Sequence, residues 1–258
     1  MADVQGISKA LLEAEAKRAP IAPLTVTYPD LKIEDAYQIQ LAGVKTRVAA
    51  GRKVIGKKIG LTSKAMQDLL GVGEPDYGHL LDDMLVVEGQ PCRRDGLLLP
   101  KVEGEVAFVM HRRVAGPGVN IADVLRATAG VMPALEIVDS RIRDWKIKLV
   151  DTVADNASSA RFVLGSRMLP VESLDLRLIG SCLEKNGMVM SSAAGVAVWG
   201  HPAAAVAWLA NKLAEFGAAL EEGDIVLSGA FTAAVDVGPG DVVQAHFDRL
   251  GSVTAKFV

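Results

Sequence analysis

Short apolar runs, separated by Gly, Pro and Asp, follow one another from residue 54 onward. Runs of this length that end in turn residues predict β-strands, and many short strands with few helices predict a mostly antiparallel sandwich or barrel. Asn186-Gly187 stands between two runs and is typical of a hairpin turn, as is the segment 248–251. Strands are predicted at residues 104–110, 134–138, 161–164, 178–184, 188–191, 225–228, 242–247 and 252–258.

The beginning of the sequence has a helical pattern instead. It is rich in Ala, Leu, Glu and Lys, and its second apolar stripe recurs every three or four residues until Gly51, a natural helix stop. Asn120 is a good N-cap for a shorter helix further along the chain. Helices are predicted at residues 4–18, 34–50, 120–127 and 203–216.

Composition agrees with a folded chain of one main domain. The 258 residues are half hydrophobic and carry a net charge of −3, which excludes a disordered chain. No basic excess is available to neutralise phosphates, so we expect no nucleic-acid partner. We therefore predict an α+β, mostly β fold, with an N-terminal helical segment over 1–51 and a mixed β-sheet or barrel domain over 52–258.

The sequence offers no membrane span and no disulfide framework. Residues 186–211 lack charged side chains, but Gly200-His201-Pro202 interrupts them, so we expect no contact with a membrane. The first residues lack the apolar run of a targeting signal. Cys92 and Cys182 are far apart and have no ligand spacing around them. These features predict a protein of the reducing cytoplasm.

Three glutamates form the most informative pattern. Glu103 and Glu105 are two residues apart in a predicted strand, so they project from one face, roughly 6–7 Å apart at the backbone. Glu136 lies in an apolar run, where a lone carboxylate is costly unless it is paired or bound to a metal. Three carboxylates without histidine suit Mg²⁺ or Mn²⁺. The alternatives are a solvated edge-strand face for the first two and a buried salt bridge for Glu136.

A basic segment and a turn provide further candidates. Residues 51–58 imitate a phosphate loop, but Lys58 occupies the position of the required Ser or Thr, which excludes nucleotide binding. Lys57 and Lys58 are either a solvated pair, or Lys58 serves the carboxylates as a proton-transfer group or electrostatic clamp. Asp76 follows a proline in a run typical of a turn. It either only stabilises that turn or belongs to the same site as the carboxylates.

Seven segments, in this order and spread over most of the chain, together resemble one family. Each segment is weak by itself, and the order makes the resemblance specific. The family is that of the 2-hydroxypenta-2,4-dienoate hydratases and 4-oxalocrotonate decarboxylases, within the fumarylacetoacetase-like superfamily. The segments are Lys58-Ile-Gly-Leu-Thr-Ser63, Pro75-Asp-Tyr-Gly78, Glu103-Gly-Glu105, Pro133-Ala-Leu-Glu136, Ser140-Arg-Ile-Arg-Asp-Trp145, Asp151-Thr-Val-Ala-Asp-Asn-Ala-Ser158 and Gly251-Ser-Val-Thr-Ala-Lys-Phe-Val258.

The resemblance implies a fumarylacetoacetase C-terminal-like mixed β-sheet or barrel fold, with 52–258 as the catalytic domain and Mg²⁺ or Mn²⁺ as cofactor. It places the metal ligands at Glu103, Glu105 and Glu136, and the catalytic groups at Lys58 and Asp76. The substrate is expected to be a small dienol or 2-oxo carboxylate from aromatic meta-cleavage. Substrate contacts are expected at Leu61, Thr62, Ser63, Asp155, Ser158 and Thr232.

The two branches of the family imply different lyase reactions. Asp76 and Arg143-Asp144-Trp145 resemble the hydratases, which add water to 2-hydroxypenta-2,4-dienoate to give 4-hydroxy-2-oxopentanoate. Residues 157–162 and 229–234 resemble the decarboxylases, so decarboxylation of 4-oxalocrotonate is the alternative. A second alternative is a non-catalytic partner subunit. The family also implies a homo-oligomer and a complex between hydratase and decarboxylase.

Overall fold

The structure, a computed structural model, describes residues 3–258 and confirms an α+β architecture. None of the helices in the described residues is long and apolar enough to cross a bilayer. The helices are α1 (Val4–Lys17), α2 (Leu24–Thr27), α3 (Ile33–Ala49), α4 (Lys64–Leu70), α5 (Ile121–Ala127), α6 (Leu149–Ala154) and α7 (Pro202–Ala214). The strands are β1 (Val54–Gly60), β2 (Asp76–Leu81), β3 (Leu85–Val87), β4 (Pro91–Cys92), β5 (Lys101–Met110), β6 (Thr128–Val138), β7 (Ser159–Leu164), β8 (Gly180–Lys185), β9 (Met188–Ala194), β10 (Ile225–Leu227), β11 (Val235–Asp236), β12 (Val242–Phe247) and β13 (Gly251–Phe257).

All the predicted helices and strands are present, with shifted ends, and the predicted turns join β8 to β9 and β12 to β13. Asn120 caps α5 by accepting hydrogen bonds from Ala122 and Asp123. The prediction missed β1 and β2, which have buried side chains on both faces and therefore no polar alternation. It also did not include α6, which forms where Asp151 accepts a hydrogen bond from the Lys148 backbone and caps the helix.

The strands form two sheets of mixed but mainly antiparallel pairing. The larger sheet has the order β2-β1-β10-β5-β6-β7-β3, and β11 also pairs with β5. The smaller sheet has the order β4-β13-β12-β8-β9. Parallel pairing occurs between β1 and β10, β3 and β7, and β4 and β13. The long strands β5 and β6 therefore lie in the middle of the larger sheet.

The main core lies between the sheets and under the helices. Val102, Val106 and Phe108 project from one face of β5 and are fully buried. On the same face, a Cβ at Gly104 would lie 3.2 Å from Cβ of Ala245, so the glycine permits close approach of the smaller sheet. Each large buried apolar side chain contributes roughly 1.5–3 kcal/mol of hydrophobic stabilisation. This packing fixes which face of β5 is left for polar side chains.

The N-terminal helices share this core. Ile7 and Leu11 of α1 and Tyr37 of α3 belong to the same buried cluster as the sheet residues. Tyr37 stacks on Tyr77 of β2 with ring centroids 4.8 Å apart. The boundary at residue 51 between a segment and a domain stays a prediction.

A buried histidine joins α3 to β2 in its neutral form. Nδ1 of His79 lies 2.9 Å from Oε1 of Gln40. The Gln40 amide nitrogen already donates to the carbonyls of Tyr77 and Val153, so the amide oxygen accepts and Nδ1 carries the proton. Burial, together with the neighbouring Lys57, lowers the pKa of His79 to about 3.

This histidine should make the fold acid-sensitive. Because the folded-state pKa lies below the ordinary 6.5, the stabilisation is complete above pH 6.5 and is lost as the pH falls towards 3. We expect the wild type to lose about 2 kcal/mol more than His79→Gln between pH 7.5 and pH 5, because glutamine does not titrate. Urea unfolding of both proteins at the two pH values measures this difference. Equal losses in both proteins would show that His79 takes up its proton in the folded state.

Candidate active site

Strand register places the three glutamates on one face of the larger sheet. Glu103 of β5 pairs directly with Glu136 of β6, and Glu105 is two residues further along β5. Residues paired across neighbouring strands project from the same face, as do residues two apart in one strand. One oxygen from each of the three carboxylates lies within 4.8 Å of one oxygen from each of the others. The expectation of a solvated edge-strand face is therefore wrong.

The carboxylates are buried and incompletely hydrogen-bonded. Glu105 and Glu136 are 0% exposed, and Glu103 is half-buried. Oε2 of Glu105 accepts a hydrogen bond of 2.7 Å from the Gly229 N–H, but Oε1 has no partner. Neither oxygen of Glu136 accepts a well-oriented hydrogen bond. Unpartnered buried oxygens of this kind are costly in water-free surroundings and fit a bound cation.

The electrostatics of the cluster also favour a bound cation. Burial, and then the Glu136 carboxylate, raise the pKa of Glu103 to about 7. Burial, Glu136 and Glu103 raise the pKa of Glu105 well above its ordinary value. A divalent cation with oxygen preference would keep all three groups ionised, because its charge outweighs their mutual repulsion. The donor set therefore fits Mg²⁺ or Mn²⁺.

Lys58 lies on the same face and approaches the cluster. It pairs with Leu227 of β10, which pairs with Ala107 of β5, two residues beyond Glu105. Its Nζ lies 3.2 Å from Oε2 of Glu136, so the salt bridge considered for Glu136 is present beside the carboxylate cluster. Burial opposes the charge, but the carboxylates of Glu136 and Asp76 outweigh it and raise the pKa of Lys58.

Asp76 begins β2 and faces Lys58 from the neighbouring strand. It pairs with Gly60, two residues after Lys58 in β1, so it belongs to a strand and not to the expected turn. Oδ2 accepts a long hydrogen bond of 3.4 Å from the Thr152 hydroxyl, and Oδ1 is buried without a partner. Burial raises the pKa of Asp76, although Lys58 opposes this. One oxygen of the carboxyl group is thus available for a ligand.

Gly60 makes room for this carboxyl group, which leads to a sharp prediction. A Cβ at Gly60 would lie 2.2 Å from Oδ1 of Asp76 and 3.2 Å from Nζ of Lys58. We expect Gly60→Ala to lower kcat about 100-fold, because both groups must move. Gly73→Ala is the matched control, since nothing lies within 4 Å of that Cβ. Steady-state kinetics of both variants test this, and equal activity would contradict the geometry.

Two of the expected substrate contacts are tied to the site by neighbouring groups. The Ser158 hydroxyl lies 3.5 Å from the Thr152 hydroxyl, which in turn bonds to Asp76. Thr62 is buried against Gly229, where a Cβ would come within 2.3 Å of its Oγ1. The Gly229 N–H donates to Glu105, so Thr62 lies one contact away from the carboxylates.

The other expected contacts have more varied surroundings. Leu61 follows β1 with φ of 56°, a strained conformation for a leucine. Ser63 caps α4 by accepting a hydrogen bond of 3.3 Å from the Met66 N–H. Asp155 is buried and pairs with Arg141. Thr232 is half-buried, and its hydroxyl has no partner. Their roles as substrate contacts stay predictions.

The individual contributions of Gly60, Thr152 and Arg141 could not be predicted from the sequence pattern. A signal existed for Gly60, because a glycine inside an apolar run often marks a close approach of another group. Thr152 and Arg141 lie in polar segments of the sequence, and their residue types alone do not distinguish buried from solvated positions.

Comparison with known proteins places the chain in a family. The family model described as fumarylacetoacetate (FAA) hydrolase C-terminal matches residues 66–258. The chain belongs to the FAA hydrolase C-terminal family. The resemblance found in the sequence is thereby confirmed.

Among curated relatives, this FAA hydrolase family chain resembles both branches. A 2-keto-4-pentenoate hydratase from Paraburkholderia xenovorans (strain LB400) is 46% identical over 250 residues, covering 97% of this chain and 93% of the relative. A 4-oxalocrotonate decarboxylase from Pseudomonas sp. (strain CF600) is 43% identical over 255 residues, covering 99% and 97%. Both names denote lyases.

A solved structure confirms the FAA hydrolase-like fold. The 4-oxalocrotonate decarboxylase from Pseudomonas putida G7, complexed with magnesium and adipate, superposes with a TM-score of 0.96 at 40% identity. The match covers 99% of this chain and 97% of that chain. The N-terminal helices, which the family model does not include, are therefore shared with that enzyme as well.

Proposed function

We propose that this chain is a metal-dependent hydratase that adds water to 2-hydroxypenta-2,4-dienoate, through its 2-oxo-3-enoate tautomer, to give 4-hydroxy-2-oxopentanoate. The observation that carries the proposal is the convergence of Glu103, Glu105 and Glu136 beside Lys58 and Asp76 on one sheet face. The hydratase names among the relatives support the choice of substrate.

The three glutamates would hold Mg²⁺ or Mn²⁺, in agreement with the magnesium complex of the related decarboxylase. When bound, the cation supplies Lewis-acid polarisation of the C2 oxygen of the substrate. Everything else in the reaction is proton handling and orientation, which the side chains of the chain provide. Thr62, Ser158 and Thr232 are the hydroxyl groups proposed to orient the substrate.

Lys58 and Asp76 divide the proton transfers between them. Asp76 has a free Oδ1, which can position the water that adds at C4 and accept its proton. The buried ammonium group of Lys58 lies against the Glu136 carboxylate and the Ala157 carbonyl, from where Nζ can stabilise negative charge on the C2 oxygen or move a proton towards C3. General acid–base help of this kind contributes roughly 10²–10⁴-fold in rate.

Decarboxylation of 4-oxalocrotonate is the second candidate, because the decarboxylase superposes closely and a curated decarboxylase is 43% identical. The reaction needs the same electron sink but no water at C4. A single experiment separates the two: purified protein with Mg²⁺ receives each substrate, and 4-hydroxy-2-oxopentanoate and CO₂ are measured. We expect the hydrated product from the dienoate. Release of CO₂ from 4-oxalocrotonate without hydration would favour the second candidate.

The substitution Asp76→Asn tests whether Asp76 activates the water that adds to the substrate. Asparagine keeps the size and the acceptor for Thr152 but cannot take a proton. We propose that it abolishes hydration while retaining metal binding.

If neither substrate is converted by the wild type although the metal binds, the remaining proposal is a non-catalytic partner subunit.

The state of the protein in the cell is a further part of the proposal. Homo-oligomerisation is supported by the exposed apolar side chains of Met188, Val189 and Met190 on β9. A complex with the paired decarboxylase is supported by a different observation, namely that both a hydratase and a decarboxylase are among the relatives. A cytoplasmic location is supported by Cys92 and Cys182, which are both free. Light scattering of the purified protein tests the oligomer.

A further inference from the structure

A turn of three consecutive left-handed residues lies beside Lys58. Asn156, Ala157 and Ser158 have φ of 56°, 50° and 53°. None of them is glycine, and this region of conformation brings Cβ too close to the following carbonyl oxygen, so such residues usually occur singly. Three in succession persist only where the surrounding structure imposes the conformation.

The turn contacts Lys58 directly and is linked to Asp76 through Thr152. The Ala157 carbonyl accepts a hydrogen bond of 3.1 Å from Nζ of Lys58. The Ser158 hydroxyl lies 3.5 Å from the Thr152 hydroxyl, which bonds to Asp76. The backbone conformation of the turn therefore determines where the Lys58 ammonium group is held relative to Glu136.

On one side, Asn156 fastens the turn to β2. Its Nδ2 donates to the His79 carbonyl at 2.9 Å, and its Oδ1 accepts from the His79 N–H at 2.8 Å. A Cβ at Gly78 would lie 2.4 Å from the Asn156 carbonyl oxygen, so the two backbones touch. This side chain anchors the beginning of the turn.

On the other side, the guanidinium of Arg141 joins the two ends of the turn. The side chain is 6% exposed. Its Nε and Nη2 donate to Oδ1 and the carbonyl of Asp155, directly before the turn. Its Nη1 donates to the carbonyl of Ser159, directly after the turn, at 3.2 Å, and to that of Asp139 at 2.7 Å. One planar group thus fixes both ends.

Packing does not replace these hydrogen bonds. A cavity of about 50 Å³ adjoins the turn, and its lining includes Arg141, Asp155, Asn156 and Ser159 together with residues of α1 and α3. Because empty space adjoins the turn, the backbone has room to relax if the guanidinium is lost. On this side the hydrogen bonds of the Arg141 guanidinium restrain both ends of the turn, and the Asp139 N–H also donates to the Ser158 carbonyl at 2.8 Å.

We propose that Arg141 is a positioning residue, which keeps residues 156–158 left-handed and thereby holds the Ala157 carbonyl against Nζ of Lys58. It acts through the turn, because four of its five N–H donors are occupied by Asp139, Asp155 and Ser159. The kinetic part of this inference rests on the proposed hydratase function.

Arg141→Lys tests the proposal while keeping the buried positive charge opposite Asp155. We expect kcat to fall about 30-fold or more, because Lys58 is misplaced, while KM and the half-saturating Mg²⁺ concentration change less than about threefold. Arg126→Lys is the matched control, since Arg126 pairs with Asp123 on the exposed surface of α5. An Arg141→Lys enzyme with the kcat of the control would overturn the proposal.

A second substitution separates positioning from general destabilisation. Glycine adopts positive φ without assistance, so Ala157→Gly in the Arg141→Lys background should restore kcat about fivefold or more. Because glycine at a positive φ also relieves strain and stabilises the fold, kcat is compared in fully folded protein, where a purely structural arginine would leave no loss of kcat to rescue. Failure of the double variant to recover any activity would contradict the mechanism.

Hydrogen exchange gives a readout that does not depend on turnover. We expect amides 156–158 to exchange faster in Arg141→Lys than in the wild type and in Arg126→Lys, with β5 unchanged. Equal protection in all three proteins would contradict the restraint. If the wild type lacks hydratase activity, the proposed function fails, and hydrogen exchange still decides whether Arg141 holds the turn.

Discussion

Replacing Glu105 with glutamine is expected to lower hydration by about a thousandfold at the Mg²⁺ concentration that saturates the wild type. Glutamine has the same shape and can still accept the Gly229 hydrogen bond, so the fold is retained. It lacks the charge that the cation requires, and the half-saturating Mg²⁺ concentration should rise by about 100-fold or more. Titration of activity and of the thermal midpoint with Mg²⁺ measures both effects.

The metal-free protein should respond in the opposite direction. Burial and the neighbouring glutamates make ionised Glu105 unfavourable without a cation. Glu105→Gln should therefore unfold at the same temperature as the metal-free wild type or at a higher one, while Mg²⁺ no longer stabilises it. Glu172→Gln, at an exposed position, is the matched control and should behave as the wild type. Full activity with an unchanged Mg²⁺ titration in Glu105→Gln would remove the carboxylate–metal account.

The second large effect is expected for Lys58→Met, which should lower kcat by about 10²–10⁴-fold without weakening the metal. Methionine removes the ammonium group that lies 3.2 Å from Glu136, so the carboxylates lose a competing positive charge. The half-saturating Mg²⁺ concentration should therefore stay the same or fall. The metal-free variant should be less stable by about 3–5 kcal/mol, because Glu136 is left buried without its partner.

The adjacent lysine provides the control. Lys57 is also buried, but it projects from the opposite face of β1 and lies 3.4 Å from Oδ2 of Asp224. Lys57→Met should destabilise the protein and keep kcat, whereas Lys58→Met should lose kcat. Isothermal titration with Mg²⁺ and steady-state kinetics separate the pair. Loss of kcat in both variants would mean that destabilisation, and not proton handling, explains Lys58.

The carboxylate cluster could be predicted from the sequence because its information is local. Glu103 and Glu105 are two apart in one strand, and Glu136 lies in a run too apolar to tolerate an unpaired charge. Pairing of β5 with β6, which are successive long strands in the sequence and neighbours in the sheet, then brings Glu136 next to Glu103. Three side chains with these constraints had few other arrangements available.

The surroundings of the cluster could not be predicted in the same way. Lys58 reaches Glu136 because β1 pairs with β10, whose residues are far from it in sequence. No local pattern specifies that pairing, so a solvated lysine pair was an equally good interpretation. The left-handed turn could not be predicted from the sequence either, because none of Asn156, Ala157 and Ser158 is a glycine, the residue that usually indicates positive φ. Tertiary hydrogen bonds impose it.

The central claim is that Glu103, Glu105 and Glu136 hold one divalent cation. A crystal grown with Mn²⁺ and measured at the manganese absorption edge tests it most directly. The account predicts one anomalous peak in contact with oxygens of all three glutamates, which disappears in Glu105→Gln at the same Mn²⁺ concentration. A wild-type crystal with no peak among these carboxylates, or with Mn²⁺ bound elsewhere and full activity, would contradict it.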